Sequence, residues 1–354
     1  MRIALIAPPF IPVPPVEYGG TELFVANLAL KLKQRGADVV VYTNGASTIE
    51  VEKRWMFADA EWPLRGDIYD NLKDIAHTSW AIQDAADDSC DIIHLNNAPG
   101  LANSRFVKIP FVYTIHHPHV EDLSEFYGYF PDVNFVTISD FQRQREKLAH
   151  VRTIHHGVDA TACSVIDAKQ DYLAFLGRIA PIKGTHLAIE VAKKSGIPLK
   201  IAGEIQPMYK EYFDTQIKPH VDGKFIEFIG EVDVQAKNEL LGNARALLFP
   251  IQWDEPFGLV MIEAMACGTP VLAFPGGSVA EVVRDGVSGW ICRTTDEMAE
   301  KARSIGLAPS VVREYLEETF SLDAMADRYL ELYQEIVAEA EPAAGGFPEE
   351  PAVA

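Results

Sequence analysis

The sequence predicts an α/β protein made of two doubly wound, Rossmann-like domains with parallel sheets. Short apolar runs of strand type alternate with helical stretches along most of the 354 residues, which is typical of repeated strand–helix units. The runs form two groups, separated near 157–171 by a stretch in which the periodicity lapses. A chain of this length also exceeds one ordinary domain. Two sheets therefore fit the pattern better than one very wide sheet.

Each group contributes five predicted strands, all of them short and largely apolar. In the first group they are 3–7, 39–43, 92–95, 111–115 and 135–138. In the second group they are 172–176, 199–202, 226–229, 246–249 and 270–274. The predicted division of the chain is a first domain at 1–160, a second domain at 161–320, an amphipathic helix at 321–340 and a disordered tail at 341–354.

The composition is that of a soluble globular protein, with 48% apolar and 23% charged residues. The net charge of −20 disfavours nucleic acid and anionic lipid as partners. No apolar run reaches the roughly 18 residues of a transmembrane segment. The four cysteines are scattered without metal-binding spacing, so we expect core thiols in a protein of the reducing cytoplasm: Cys90, Cys163, Cys267 and Cys292.

The most informative stretch is 247–274, which contains a predicted strand, a loop and a predicted helix at 258–267. The helix is apolar on every face and is expected to be buried, yet Glu263 lies in its middle and must have hydrogen-bond donors facing it. Glu255 lies just before the helix, where free N–H groups and the helix macrodipole attract an anion. Either carboxylate alone fits a solvated residue. Together they favour a sugar nucleotide, with its diphosphate on the N–H groups and its hydroxyls on the carboxylates.

A second signal is a turn with two cations, Arg178 and Lys183, between the predicted strand 172–176 and a helix that begins at Thr185. The turn lies at the carboxyl edge of a strand, the edge at which doubly wound sheets bind ligands. A solvated loop would explain either cation alone. Both together suit a diphosphate, because Arg can bind two phosphate oxygens while Lys acts as a point charge.

Polar residues also follow two strands of the first domain. After the first strand, Gly19 and Gly20 lead into Thr21, Glu22 and a helix. This loop suits a phosphate or a hydroxyl group, but Thr21 could equally be a helix cap without a ligand. Asn96 ends another strand at the same edge, which makes it a candidate for lining an acceptor pocket.

Three histidines, His116, His117 and His119, close the predicted strand 111–115. Their spacing beside a proline is poor for a shared metal ion, and no Cys or carboxylate cluster accompanies them, so no metal site is predicted. For His117 and His119, contact with an acceptor and a plain surface loop are equally good interpretations.

The segment Glu255-Pro-Phe-Gly-Leu-Val-Met-Ile-Glu263 resembles the E-x7-E signature of retaining glycosyltransferases of GT-B fold, in particular family 4 (group 1). The glycine loop and the Arg178–Lys183 turn resemble further motifs of that family, so the resemblance covers nearly the whole chain. It implies two Rossmann-like domains that face a cleft. The first would bind the acceptor, the second a nucleotide sugar, and the last helix would cross back to the first domain.

The resemblance also implies a role for each motif residue. Glu255 would meet the donor hexose and Glu263 the ribose, while His116 would approach both donor sugar and acceptor. The predicted catalytic residues are His116, Arg178, Lys183 and Glu255. The predicted donor-binding residues are Gly19, Gly20, Arg178, Lys183, Gly203, Val232, Glu255, Phe257, Gly258, Leu259, Val260 and Glu263. The predicted acceptor-binding residues are Thr21, Glu22, Asn96 and His117.

For the reaction, the resemblance implies front-face substitution with retention, in which the leaving phosphate deprotonates the acceptor hydroxyl without a metal or other cofactor. Main-chain groups near Val232 would bind the base. Val234 stands where guanine-binding members can place an acid, which favours a UDP-hexose, UDP-glucose first, over GDP-mannose. Because Asp233 is its neighbour, guanine remains an alternative base. The acceptor would be a small molecule, a saccharide or a lipid-linked molecule.

Two other classes of function remain at this point. A GT-B phosphorylase or a sugar-nucleotide epimerase would need a pyridoxal lysine or a catalytic carboxylate pair, and neither can be placed. A non-catalytic subunit that binds nucleotide sugars would be expected to lack motif residues, but all four predicted catalytic residues are present.

Overall fold

Two separate parallel β-sheets organise the chain, and a computed structural model describes residues 1–16 and 19–340. The tail predicted at 341–354 lies outside the described residues. The strands of the first sheet are β1 (Arg2–Ile6), β2 (Asp38–Thr43), β3 (Glu52–Trp55), β4 (Ile92–Leu95), β5 (Phe111–Ile115), β6 (Asn134–Thr137) and β7 (Val151–Thr153). Their order in the sheet is β3-β2-β1-β4-β5-β6-β7. The α-helices of this half are α1 (Gly20–Gln34), α2 (Ile68–Asp87), α3 (Glu121–Gly128) and α4 (Asp140–Arg143).

The second sheet has the same winding. Its strands are β8 (Leu173–Leu176), β9 (Leu199–Ala202), β10 (Ile226–Gly230), β11 (Ala246–Phe249), β12 (Val271–Ala273) and β13 (Gly289–Ile291). Their order is β10-β9-β8-β11-β12-β13. The α-helices that follow in the chain are α5 (Thr185–Ser195), α6 (Lys210–Tyr212), α7 (Val234–Asn243), α8 (Leu259–Ala266), α9 (Val279–Val282), α10 (Thr295–Arg303), α11 (Pro309–Phe320) and α12 (Leu322–Ala340).

Both faces of each sheet are buried, which explains why the central strands read as continuous apolar runs. Along β1, Ile3 and Leu5 belong to one core and Ala4 and Ile6 to the core on the opposite face. Three strands were missed by the sequence prediction: β3, β7 and β13. All three lie at sheet edges, and their residues are mostly exposed or half-buried. β3 and β7 carry charged side chains and no apolar run, and β13 has only three residues.

The strand order places the predicted motifs together. In each sheet the winding reverses beside the first strand, between β1 and β4 and between β8 and β11. Ligands of doubly wound sheets bind in the crevice at such a reversal, at the carboxyl ends of the strands. The glycine loop follows β1 and Asn96 follows β4, whereas Arg178 follows β8 and Glu255 follows β11. All four segments therefore lie at a reversal point.

Helix α12 belongs spatially to the first half of the protein. Its tyrosines Tyr329 and Tyr333 are fully buried in the core beside β1 and α1, and Asp323 forms an ion pair with Lys31 of α1 at 2.9 Å. The chain passes between the halves at two adjacent points, where Val158 pairs with Ser321. The domain limits at 160 and 320 stay predictions, and both lie beside these two crossings.

Two of the four cysteines are not the free thiols that the sequence predicts. Cys163 and Cys267 form a disulfide with a Cα–Cα distance of 5.2 Å, whereas Cys90 and Cys292 are free and buried. The partners are 104 residues apart, so their spacing along the chain contained no signal. The fold brings the end of α8 against the segment after the first crossing, where a disulfide is geometrically possible. Among residues 1–16 and 19–340, no helix combines the length and the apolarity that crossing a bilayer requires.

The docking of α12 gives a test of the fold. Fully buried His94 contacts the Tyr333 hydroxyl through Nδ1 at 2.6 Å and Thr114 Oγ1 through Nε2 at 2.8 Å, and burial lowers its pKa to about 3. Tyr333→Phe should lower the free energy of unfolding by ~1–3 kcal/mol in urea titrations, because it leaves a buried ring nitrogen without a partner. Tyr129→Phe, which removes an exposed hydroxyl, is the control and should change it by less than ~0.5 kcal/mol. Equal effects of the two substitutions would contradict the buried network.

Candidate active site

Two loops of the second sheet form the centre of the candidate site, and a glycine brings them into contact. Gly184 ends the turn after β8 with a φ of +73°, and a Cβ atom there would lie 1.9 Å from the carbonyl oxygen of Pro250. Only glycine fits this close approach. The turn that carries Lys183 therefore packs directly against the loop that leads to Glu255.

Glu255 is 6% exposed and is held by two donors on one oxygen. Lys183 Nζ lies 2.6 Å from Oε2, and Trp253 Nε1 donates to the same oxygen at 2.9 Å. The ammonium group of Lys183 also lies 4.7 Å from the centre of the Trp253 ring. Oε1 has no hydrogen-bond partner among the described residues, so one oxygen of this carboxylate is available to a ligand.

Glu263 forms a second lysine–glutamate pair, with Lys237 Nζ 2.6 Å from its Oε1. Both side chains are 21% exposed, so the expectation that α8 is buried on every face is wrong. Leu259, Val260 and Glu263 are half-buried because they line a cavity. The expectation of a facing donor is correct, but the sequence did not identify Lys237, which lies 26 positions away on α7.

The cavity has a volume of about 360 Å³ and contains most of the predicted donor residues. Its charged lining residues are Arg178, Lys183, Lys237, Glu255 and Glu263. Gly258, Leu259 and Val260 contribute the start of α8, where first-turn N–H groups have no acceptor within the helix. Arg178 is exposed and makes no ion pair or hydrogen bond with other described residues. The arrangement can therefore bind an anion and, beside it, several hydroxyl groups.

Five residues predicted to bind the donor lie outside this lining: Gly19 and Gly20 of the first half, and Gly203, Val232 and Phe257 of the second. Gly203 packs against Gly177, since a Cβ there would lie 1.8 Å from its carbonyl oxygen, and Val232 packs half-buried against the core of the second half. The ring of Phe257 is 1% exposed and meets the ring of His156 at 5.3 Å. These contacts give the side chains of Val232 and Phe257, and the position of Gly203, structural roles.

On the first sheet, His116 is held by Asn96. The Asn96 amide donates from Nδ2 to the carbonyl oxygen of Ile6 at 3.1 Å, so its Oδ1 accepts from His116 Nε2 at 2.9 Å. This fixes the proton of the neutral ring on Nε2. The ring stacks on His156 at 5.7 Å, and burial together with His156 and His94 holds the pKa of His116 well below its usual range. Asn96, predicted to bind the acceptor, positions the histidine.

The glycine loop has its own buried carboxyl group. Gly19, with a φ of +152°, is the N-cap of α1, so Thr21 lies inside the helix and the interpretation of Thr21 as N-cap is wrong. Gly20 is exposed at the start of the helix. Glu22 is 5% exposed, and burial raises its pKa to about 7. Its side chain has no hydrogen bond to another described residue, which leaves it available to an acceptor hydroxyl.

The other two histidines are engaged elsewhere. His117 Nδ1 donates to the carbonyl oxygen of Pro118 at 2.7 Å, and its Nε2 accepts from the Tyr127 hydroxyl at 2.5 Å. His119 contacts Glu146 at 2.9 Å, which raises the pKa of His119. Both nitrogens of His117 are thus already used, which disfavours its predicted acceptor contact. Within the described part of the chain, no three His, Cys, Asp or Glu side chains converge on a possible metal position.

Comparisons with known proteins bear on the family and the fold of the chain. A family model described as Glycosyltransferase Family 4 matches residues 18–163, and a model described as Glycosyl transferases group 1 matches 162–315. The chain is 27% identical over 325 residues to a phosphatidyl-myo-inositol mannosyltransferase of Mycobacterium leprae, covering 84% of this chain and 85% of that protein. It is 25% identical to a D-inositol 3-phosphate glycosyltransferase of Mycolicibacterium smegmatis, covering 77% and 74%.

Solved structures show the same fold. AviGT4, a glycosyltransferase involved in avilamycin A biosynthesis, matches with a TM-score of 0.69 and 25% identity over 95% of this chain and 98% of that chain. Sucrose-phosphate synthase from Thermosynechococcus elongatus matches with a TM-score of 0.78 and 18% identity over 96% and 99%. Anabaena Alr3699/HepE, solved with UDP and glucose, matches with a TM-score of 0.73 and 18% identity over 95% and 100%. The predicted GT-B fold is confirmed, and the chain belongs to the family 4 (group 1) glycosyltransferases.

Proposed function

We propose that the protein transfers a hexose from a UDP-hexose, UDP-glucose first, to an acceptor hydroxyl, with retention and without a metal ion. The observation that carries the proposal is the composition of the cavity. Two cations (Arg178, Lys183) and the start of α8 would bind the diphosphate, while Glu255 and Glu263 each keep one oxygen free for hydroxyl groups.

In this proposal the cations also stabilise the charge that develops on the departing UDP. Arg178 has no hydrogen-bond or ion-pair partner among the described residues, so it can bind phosphate oxygens at little cost. Lys183 would contact the diphosphate while it stays paired with Glu255. The acceptor hydroxyl would approach from the first half, where His116 and Glu22 lie. The leaving phosphate would take its proton in a front-face substitution.

Two observations support uracil as the base. Val234 is 64% exposed at the start of α7, and the carboxylate of Asp233 accepts the N–H of Ala236 through Oδ1 at 2.8 Å as the helix N-cap. An acid that caps a helix is less free to pair with guanine. A solved neighbour also binds UDP and glucose. A mannosyl donor is the second candidate, because a mannosyltransferase is among the relatives.

Product analysis with a panel of nucleotide sugars tests the proposed donor. UDP-hexoses should be hydrolysed slowly without acceptor and turned over faster with one, and turnover should persist in excess EDTA, because Arg178 and Lys183 supply the positive charge. Calorimetry should give a lower Kd for UDP than for GDP. Tenfold tighter GDP binding, about 1.4 kcal/mol, would reverse the assignment of the base. Loss of turnover in EDTA with recovery in Mg²⁺ would contradict metal independence.

The two cations give a second prediction. Arg178→Ala and Lys183→Gln should each lower kcat by about 10²-fold or more, because charge on the leaving diphosphate would no longer be balanced. Lys193→Ala, which removes an exposed lysine that contacts His220 outside the cavity, is the matched control. Since Lys183 also holds buried Glu255, thermal melting must show that its variant is folded. Wild-type turnover in either cavity variant would overturn the diphosphate assignment.

The two glutamates should differ in their effects. Glu263→Gln should raise both KM for the donor and the Kd for UDP, because the ribose contact changes little as the glycosidic bond breaks. Glu255→Gln should lower kcat far more than it weakens UDP binding, since the hexose gains positive charge in the transition state and UDP lacks the hexose. Calorimetry with UDP and steady-state kinetics separate the two cases. An equal loss of UDP affinity in both variants would mean that the roles are wrongly assigned.

A further inference from the structure

One carboxylate of the second half holds a helix of the first half. Glu281, on α9, accepts the backbone N–H of Asp140 at 2.7 Å through Oε2 and that of Phe141 at 2.6 Å through Oε1. These are first-turn N–H groups of α4, which have no acceptor within their own helix. His155 lies in the chain between β7 and β8, and its Nε2 is 3.0 Å from Oε2 of Glu281. The histidine must donate this hydrogen bond, because an ionised carboxylate only accepts.

We call this set of contacts the Glu281 latch: Glu281, the N–H groups of Asp140 and Phe141, and the ring of His155. The Glu281 side chain is 20% exposed and receives three donors, so the contact is largely shielded from water. Hydrogen bonds to a partly buried carboxylate are stronger than those between neutral groups. The latch is therefore a shielded contact between the two halves of the protein.

The segment that carries the latch also holds the loop of Glu255. The N–H of Ser278 donates to the Glu255 carbonyl oxygen at 2.9 Å, and its hydroxyl donates to the Phe257 carbonyl oxygen at 2.9 Å. Gly277 adopts a φ of +58°, and a Cβ there would lie 2.0 Å from the Glu255 carbonyl oxygen. The short segment 277–281 thus contacts the donor loop at one end and α4 at the other.

A second contact joins the same two elements. Arg145, just after α4, donates to the carboxylate of Asp254 at 3.2 Å, and Asp254 directly precedes Glu255. The side chains of Arg145 and Asp254 are 39% and 61% exposed, so this ion pair is expected to stabilise the contact between the halves less than the latch does. Both contacts connect the first half to the residues around Glu255.

We infer that Glu281 is a positioning residue for glycosyl transfer: through the latch it sets the acceptor side of the first half against the donor sugar. This inference rests on the proposed function. Glu281 does not line the donor cavity, which is formed by residues of the second half. Its loss should therefore leave nucleotide binding unchanged while it disturbs the alignment of donor and acceptor. Small misplacements of reacting groups cost large factors in rate.

The test compares Glu281→Gln and Glu281→Ala with Glu335→Gln. Glu335 is an exposed carboxylate paired with Arg152 at 2.5 Å, so its variant has the same charge change as Glu281→Gln and leaves the latch intact. Hydrogen exchange should show both amides, 140 and 141, exchanging at least about tenfold faster in Glu281→Ala, and at least one of them in Glu281→Gln, with α8 unchanged. The Kd for UDP should stay within about twofold of the wild type, while kcat for transfer falls by about tenfold or more. The ratio of donor hydrolysis to transfer should rise, because misaligned halves admit water.

The kinetic arm uses whichever nucleotide sugar the wild-type protein turns over, so an error in the proposed donor appears in the wild type and leaves the comparison valid. Faster exchange with unchanged kcat would overturn the positioning role. Unchanged exchange at 140 and 141 would overturn the latch itself, without any assay of activity. Parallel losses of UDP affinity and kcat would also overturn the inference, because they would indicate damage to the second half. Should Glu281→Ala melt below the assay temperature, Glu281→Gln, which keeps one acceptor oxygen, decides the outcome.

Discussion

The ion pair between Lys183 and Glu255 is the interaction on which the rest of the site depends. A carboxylate that is 6% exposed is costly without a partner, and removing one member of such a pair typically costs ~3–5 kcal/mol. The pair joins the loops after β8 and β11 across the reversal point of the second sheet. Its geometry requires Gly184, because no other residue allows the lysine turn to approach Pro250 so closely. The strand order, Gly184 and the ion pair together hold the loops after β8 and β11 in contact.

A lysine–glutamate pair occurs twice in the cavity. Lys237 holds Oε1 of Glu263, while Lys183 and Trp253 hold Oε2 of Glu255. In each pair the lysine contacts one carboxylate oxygen and leaves the other oxygen for a ligand. With both carboxylates neutralised by lysines, exposed Arg178 supplies the excess positive charge in the cavity. The cavity of this strongly acidic protein therefore has a local excess of positive charge, as the proposed binding of a diphosphate requires.

Most of the fold and the main motifs could be predicted because their signals are local. Buried central strands appear as apolar runs, and Glu255 and Glu263 lie within one loop and helix. The features that could not be predicted are contacts between residues far apart in the chain. They are the contacts of Lys237 with Glu263, of Cys163 with Cys267, and of Glu281 with α4. A carboxylate in an apolar helix predicts that Glu263 needs a donor, but nothing in the sequence indicates which of the lysines lies beside it. Edge strands such as β7 were missed for a related reason, since half-exposed strands need no apolar run.

The state of His116 bears on where the acceptor proton goes. Its Nε2–H is directed to Asn96, and burial beside other histidines holds its pKa well below the usual range, so the ring is neutral near pH 7. A histidine with such a low pKa is a weak base, because base strength falls with the pKa of the conjugate acid. It remains a good hydrogen-bond acceptor at Nδ1, suited to orienting a hydroxyl group. The leaving phosphate, which gains negative charge as the glycosidic bond breaks, would be the better proton acceptor, as the proposed front-face substitution requires.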